Sequence, residues 1–382
     1  MNQKVAAVVV FVALIVAAGS GASHPASTEG AGTVVGTITV GGEPTFFAYD
    51  SSNGYLYVAN LDTGEVSAIN GLTNTVVGNI SVSDAMKGIA YDSSNGYLYV
   101  TDFVAGNVSV VSDATNAVVG SVGAGTFPNG IAFDSSNGYL YVVNLGSSNV
   151  AAGTVSVIDG ANNSVVSKVT VGIEPSMVAY DPLNGFLYVT NEGSNTTSVI
   201  NGTSNEVVGN ISVGAGPYGV AFDPANGYLY VANLGSGTVS VIDGATDFMV
   251  GTIAVGGSPY GVAIDPSNGY LYITQFGAMN VSTGAVTVIN GAANAVVGNV
   301  TVGSGPYGVA FDPANGYLYV ANYFSGMVSV ISPSNATTGL PPSLAFFTVL
   351  IGVFVVFIGS AVLLGRHRSP VREERPASPS RQ

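Results

Sequence analysis

The chemically capable side chains of this 382-residue chain are carboxylates, tyrosines, hydroxyls and amides. Residues 24–342 carry twenty carboxylates against two lysines, Lys87 and Lys168, so this stretch is eighteen negative at neutral pH. It holds no cysteine, arginine or tryptophan, and the two histidines, His24 and His367, lie near the ends of the chain. Ser-His-Asp and Cys-His nucleophiles, His-ligated zinc or copper, and haem held by His or Cys therefore lack their residues. What the inventory can support is two-carboxylate hydrolysis, a calcium site built from oxygen ligands, or recognition by aromatic faces and hydroxyls. The acidic balance argues against nucleic acid and against docking flat on anionic lipid.

The elements that must position these groups are written as a repeat. Asn-Gly-Tyr-Leu-Tyr-Val, or a near copy, starts at Asn53, Asn95, Asn137, Asn184, Asn226, Asn268 and Asn315, with intervals of 42, 42, 47, 42, 42 and 47 residues. A period of about 40 residues rich in strand formers predicts an all-β, seven-bladed β-propeller of four-stranded blades, each stacked on its neighbours because none can bury both faces alone. In the fifth copy the strands fall at 219–222, 228–231, 238–242 and 248–255. The first two are almost wholly apolar, as strands covered on both faces should be. Asp50, Asp92, Asp134, Asp181, Asp223, Asp265 and Asp312 each open an Asp-x-x-Asn-Gly turn between them, read as an Asx-stabilised hairpin and not as a metal loop.

The phase of the repeat at its ends predicts how the ring closes. Residues 33–40 match a fourth strand but precede the first inner strand, whereas the seventh copy stops after its third strand at 327–331. The spare strand is expected to complete the seventh blade and so remove the edges an open array would expose. The propeller then spans 33–331.

In such a ring, the fourth-to-first and second-to-third connections surround one mouth of the central channel, where variable loops meet a rigid scaffold. The residue after each fourth-to-first loop's end reads, around the ring, Thr45, Lys87, Asn129, Ser176, Tyr218, Tyr260 and Tyr307. Three successive tyrosines, with Phe276, Tyr323 and Phe324 in neighbouring loops, are expected to present an aromatic arc at the mouth, suited to sugars or peptides. Lys87 and Asn129 complete the candidate ligand set. An acidic group shares this face: Glu43, Asp62, Asp84, Asp102, Glu174 and Glu192. Of these, Glu43, Asp84 and Asp102 come from adjacent blades and form the candidate metal site, for which calcium is the only cofactor considered. Two insertions, 146–153 and 277–284, share a Gly-x-x-Asn-Val-x-x-Gly pattern 131 residues apart, which marks a duplicated three-blade unit; on opposite sides of the mouth they are either paired walls for a partner or inherited decoration.

The ends carry targeting signals. Residues 1–23 have the layout of a secretory signal, followed by a short lead at 24–32. A spacer at 332–342 leads to an uncharged apolar stretch at 343–365, long enough to cross a bilayer of about 30 Å as a helix. The tail at 366–382 holds Arg366, Arg368, Arg372, Arg375 and Arg381, which places it on the cytoplasmic side and the propeller outside. Nine sequons, at Asn79, Asn107, Asn162, Asn195, Asn201, Asn210, Asn280, Asn299 and Asn335, are candidate glycosylation sites. With no cysteine in the chain, stability must come from packing and closure.

Tyr188-Val189-Thr190-Asn191, followed by Ser198-Val199-Ile200-Asn201 and Val207-Val208-Gly209, resembles the YVTN-type β-propeller repeat of archaeal and bacterial cell-surface proteins. The resemblance covers roughly 33–335, and the other copies depart from it as Tyr-Val-Ala-Asn, Tyr-Val-Thr-Asp, Tyr-Val-Val-Asn and Tyr-Ile-Thr-Gln. It implies a prokaryotic, archaeal surface-layer or surface-antigen protein; similar propellers also occur in lactonases and haem nitrite reductases. Together the readings favour a single-pass, membrane-anchored binding or adhesion module that contacts surface proteins or glycans. The alternative is an extracellular hydrolase or lactonase-like enzyme with a carboxylate or calcium site at the channel mouth.

Overall fold

The computed structural model describes residues 30–147, 150–277 and 282–334. They form a seven-bladed β-propeller of twenty-eight strands, β1 (Thr33–Thr39) to β28 (Met327–Ser332), in seven four-stranded antiparallel sheets. Six blades use consecutive strands; the seventh has the order β1, β28, β27 (Tyr317–Asn322), β26 (Pro306–Asp312). The amino-terminal strand thus closes the ring, with Thr33 opposite Ser332 and Thr39 opposite Met327. In the fifth blade the strands run Pro217–Asp223, Tyr228–Asn233, Thr238–Asp243 and Phe248–Ala254, and the last strand of the propeller ends at Ser332.

The hexapeptide packs the blades against one another. Alternate residues of a strand point to opposite faces of its sheet. Tyr57, Ala59, Val66 and Ala68 of blade one therefore meet Leu98, Val100 and Val111 of blade two in one core cluster. The same pairing closes blade seven onto blade one, where Tyr319, Val328 and Val330, with Ile38 of the closing strand, face Leu56, Val58 and Ile69. Each fully buried Leu or Tyr contributes roughly 1.5–3 kcal/mol of transfer free energy.

The Asp-x-x-Asn-Gly turns behave as read. Asp50 Oδ1 accepts the Ser52 N–H at 2.8 Å, Asn53 Oδ1 accepts the Tyr55 N–H at 2.8 Å, and Gly54 supplies φ +74°. The turn also reaches the next blade: Asn95 Nδ2 and the Tyr99 hydroxyl donate to the Gly160 carbonyl at 3.0 and 3.2 Å. Tyr141, Tyr188, Tyr230 and Tyr319 repeat this bond to Gly202, Gly244, Gly291 and Gly71. Tyr272 has no such bond among the described residues, because blade seven has no third-to-fourth turn to offer a carbonyl.

Among the described residues no helix is long and apolar enough to cross a membrane. The segments read as signal, membrane span and basic tail, and the sequons Asn280 and Asn335, lie outside the described residues, as does part of each insertion. Of the remaining sequons, Asn79, Asn162, Asn195, Asn210 and Asn299 are exposed, and Asn107 and Asn201 are half-buried.

Candidate functional site

A β-bulge in every inner strand builds the channel. In blade five the ladder pairs Pro217 with Asn233 and resumes at Val220 with Val231, so Tyr218 and Gly219 together oppose Ala232. The other six blades have the same interruption, between Pro44 and Phe47, Met86 and Ile89, Pro128 and Ile131, Pro175 and Val178, Pro259 and Val262, and Pro306 and Val309. A bulge re-aims its side chains, and here it turns the column from Thr45 to Tyr307 toward the axis. Its second position is glycine in five blades because adjacent inner strands nearly touch: a Cβ on Gly219 would sit 2.1 Å from the Tyr260 carbonyl oxygen. Phe46 and Met177 take that position in blades one and four. Thr101, Thr190 and Thr274 tie bulge to bulge, each donating its hydroxyl to the column residue of the next blade, Asn129, Tyr218 or Tyr307, at 2.8, 2.6 and 2.6 Å.

The three tyrosines meet, but not as an open arc. Tyr218, Tyr260 and Tyr307 are 7, 6 and 4 % exposed and pack on one another as a plug across the channel. The Tyr218 and Tyr260 rings stack at 3.9 Å, Tyr260 and Tyr307 lie at 4.3 Å, and the Tyr260 hydroxyl donates to the Tyr307 oxygen at 2.6 Å. The ring is too narrow for aromatic residues on three successive blades to avoid contact, a fact of diameter that strand pattern does not carry. Asn129 Nδ2 donates to the Tyr218 oxygen at 3.2 Å, and Lys87 Nζ to that of Tyr307 at 3.3 Å. Lys87 also lies 5.5 Å from the Phe103 ring centroid and 5.6 Å from that of Tyr307. Burial pushes the Lys87 ammonium below its usual range, with Glu43 opposing, and holds all three tyrosines above theirs. Beyond the plug the channel continues as a cavity of about 150 Å³, lined by residues further along the inner strands, including Gly88, Ile131 and Val220.

This packing sets an expected result. Tyr260→Ala should lower stability by roughly 3–5 kcal/mol, the cost of emptying a filled aromatic site. Tyr260→Phe, which removes only the bond to Tyr307, should cost about 1 kcal/mol. Denaturant midpoints at constant slope would measure both.

Above the plug, a rim is formed by the first residue of each second-to-third loop: Leu61, Phe103, Leu145, Glu192, Leu234, Phe276 and Tyr323, all half-buried. Each donates its backbone N–H to the fourth-to-first loop of its own blade, as Leu61 does to Glu43 at 3.0 Å and Glu192 to Glu174 at 2.9 Å. Glu43, Phe127 and Glu174 hold φ of +52°, +55° and +51°, where blades five and seven place Gly216 and Gly305. Phe103 and Phe127 stack at 5.0 Å, and Phe276 lies 5.2 and 5.5 Å from Tyr260 and Tyr307.

The acidic group divides. The Glu43 carboxylate accepts the Tyr323 hydroxyl at 2.7 Å, and Asp102 accepts the N–H of Ala105 in its own turn at 2.9 Å. Asp84 is exposed in its loop. Among the described residues no three acidic side chains gather to hold a metal ion, so the trio Glu43, Asp84 and Asp102 does not form the site expected of it. Their blades are adjacent, but Glu43 turns to Tyr323, Asp102 to its own turn, and Asp84 stands exposed in its loop. Glu174 and Glu192 do come together, in blade four. Burial and the neighbouring Glu174 raise the Glu192 carboxyl above its ordinary range, while a hydrogen bond with Ser176 opposes this. Phe46, Met177, Phe127, Phe103 and the rim leucines Leu61, Leu145 and Leu234 are mouth and channel residues that sequence reading overlooked. The first two were visible as breaks in the column of bulge glycines, but Phe127 carries no repeat signal.

No protein-family model matches the sequence, and no curated protein matches it. Among solved structures, a chain of Kuenenia stuttgartiensis hydrazine synthase is similar, with a TM-score of 0.68 and 23 % identity, covering 77 % of this chain and 96 % of that one. At this identity the likeness shows the propeller fold and carries nothing about activity.

Proposed function

We propose that this protein is a membrane-anchored, cell-surface β-propeller of the YVTN type, acting as an adhesion or surface-layer module that binds protein or glycan through the loop face around its channel. The observation that carries this reading is the plug. Tyr218, Tyr260 and Tyr307 fill the channel at that face, so the mouth is a shallow aromatic floor inside a mostly apolar rim, a shape suited to recognition over an area. The hydrolase alternative calls for carboxylates converging in a deep pocket, and no three of the described carboxylates gather at the mouth. The layouts of 1–23 and 343–365 support export and anchoring.

Protein and glycan arrays probed with the purified chain test the reading. A double variant, Phe103→Ser with Phe127→Ser, removes an aromatic stack from the rim without entering the plug. Its binding is expected to fall roughly tenfold, about 1.4 kcal/mol, while the lost ring pair and the contact of Phe103 with Lys87 lower the melting temperature by only a few degrees. Binding that survives the double variant intact would remove the loop face from the contact.

A further inference from the structure

Three of the sequons fall at one place in the fold. Asn79, Asn210 and Asn299 lie on the fourth strands of blades one, four and six, β5 (Thr75–Ser81), β17 (Glu206–Ser212) and β25 (Ala295–Val302). Each is paired with a hydroxyl residue of the third strand, Ser67, Ser198 or Thr287, which donates to the asparagine Oδ1 at 2.8, 2.7 and 2.8 Å. The same hydroxyls accept the side-chain amides of Asn60, Asn191 and Gln275 on the second strand, at 2.9, 3.0 and 2.9 Å, which anchors the bond in the blade. An amide whose oxygen is held inward turns its nitrogen outward. All three asparagines are exposed, and their Nδ2 meets no acceptor among the described residues.

The other described sequons are held differently. Asn162 Nδ2 donates to Asp159 at 2.7 Å, Asn201 is half-buried with its Oδ1 on the Thr203 N–H of its own turn, and Asn107 is half-buried. Asn195 is exposed, but it stands in the second-to-third loop of blade four, on the mouth face. The three strand sites also share a liability. Each of their strands ends its sheet, hydrogen-bonded on one side alone, and exposes a valine two or three residues ahead of the asparagine: Val77 at 50 %, Val208 at 54 % and Val296 at 42 %. An apolar strand edge of this kind is a template for pairing with another chain.

We propose that Asn79, Asn210 and Asn299 carry N-linked oligosaccharides, which stand over the outer edges of blades one, four and six and keep them from pairing. The donor is an oligosaccharide activated through an anomeric phosphate. Nδ2 bonds to the anomeric carbon as the carbon–oxygen bond to phosphate breaks; the phosphate leaves with the electron pair, and one amide proton passes to it. The sugar then occupies an outward nitrogen, so the bond from Oδ1 to the third strand is kept. This rests on the reading of the chain as exported.

The full-length chain expressed in insect cells, which export and N-glycosylate proteins, tests the proposal. An amide-cleaving glycosidase turns each occupied Asn into Asp, and peptide mass spectrometry then reads occupancy site by site. Most chains are expected to carry sugar at all three positions. A triple variant, Ser81→Ala with Ser212→Ala and Thr301→Ala, breaks the sequons through exposed residues and leaves every asparagine in its hydrogen bond. It should lose the three sugars, keep its melting temperature to within a few degrees, and self-associate in light scattering as concentration rises. Ser81→Thr with Ser212→Thr should keep both the sugars and the monomer. Protease added to intact cells reports export separately. An exported chain that is bare at the three positions would sink this inference alone, and a chain retained inside the cell would sink the export reading with it. A bare triple variant as monodisperse as the parent would overturn the shielding.

Discussion

Deletion of residues 33–40 is expected to lower the melting temperature by roughly 10 °C and to turn a monodisperse protein into an aggregating one. The strand buries Ile38 and Val40 against blades seven and one, worth roughly 1.5–3 kcal/mol each, and its ladder with β28 runs from Thr33 to Thr39. Its loss leaves β28 as an open edge and uncovers Val328 and Val330. Scanning calorimetry paired with light scattering would read both effects. An unchanged melting temperature would mean that the first and last blades hold together without the shared strand.

Alkaline unfolding is expected to be cooperative and confined to a window between about pH 10 and pH 12. Burial, the largest cause in each case and only partly opposed by the neighbouring Asn amide, raises Tyr57, Tyr99, Tyr141 and Tyr230 from 10.0 to about 12. A raised folded pKa means that the unfolded chain loses these protons first. The stabilisation they provide is therefore complete below pH 10 and disappears as the pH climbs through the folded values. Because the same tyrosine recurs in each blade, many protons leave within one transition. Tyrosinate absorbance and far-ultraviolet circular dichroism should change together; ionisation near pH 10 with the sheets intact would refute the linkage.

How far the sequence could be read depended on whether a feature repeats. Period and phase gave the blade number, the strand limits and the closing strand, because seven copies make even a short motif unmistakable. The Asp-led turns were equally legible, since Asn-Gly fixes a backbone conformation locally. The mouth was legible only as a set of residue types. That Tyr218, Tyr260 and Tyr307 touch one another depends on the bore of the ring and on bulges that turn three side chains to one axis. That Glu43 turns to Tyr323 while Glu174 joins Glu192 depends on individual loop paths, and loops vary where the repeat does not.

The shared seventh blade also fixes a direction for mechanical load. The chain enters the ring beside Gly30 and leaves it beside Ser334, a pair whose Cβ positions lie 3.8 Å apart, on the face opposite the mouth. The departing strand is flanked on both sides, by β1 and by β27. Tension between a guest at the mouth and the segment beyond Ser334 would therefore pull β28 lengthwise between two neighbours. Both hydrogen-bonded ladders would have to shear at once, where a strand at an open edge would peel away one bond at a time.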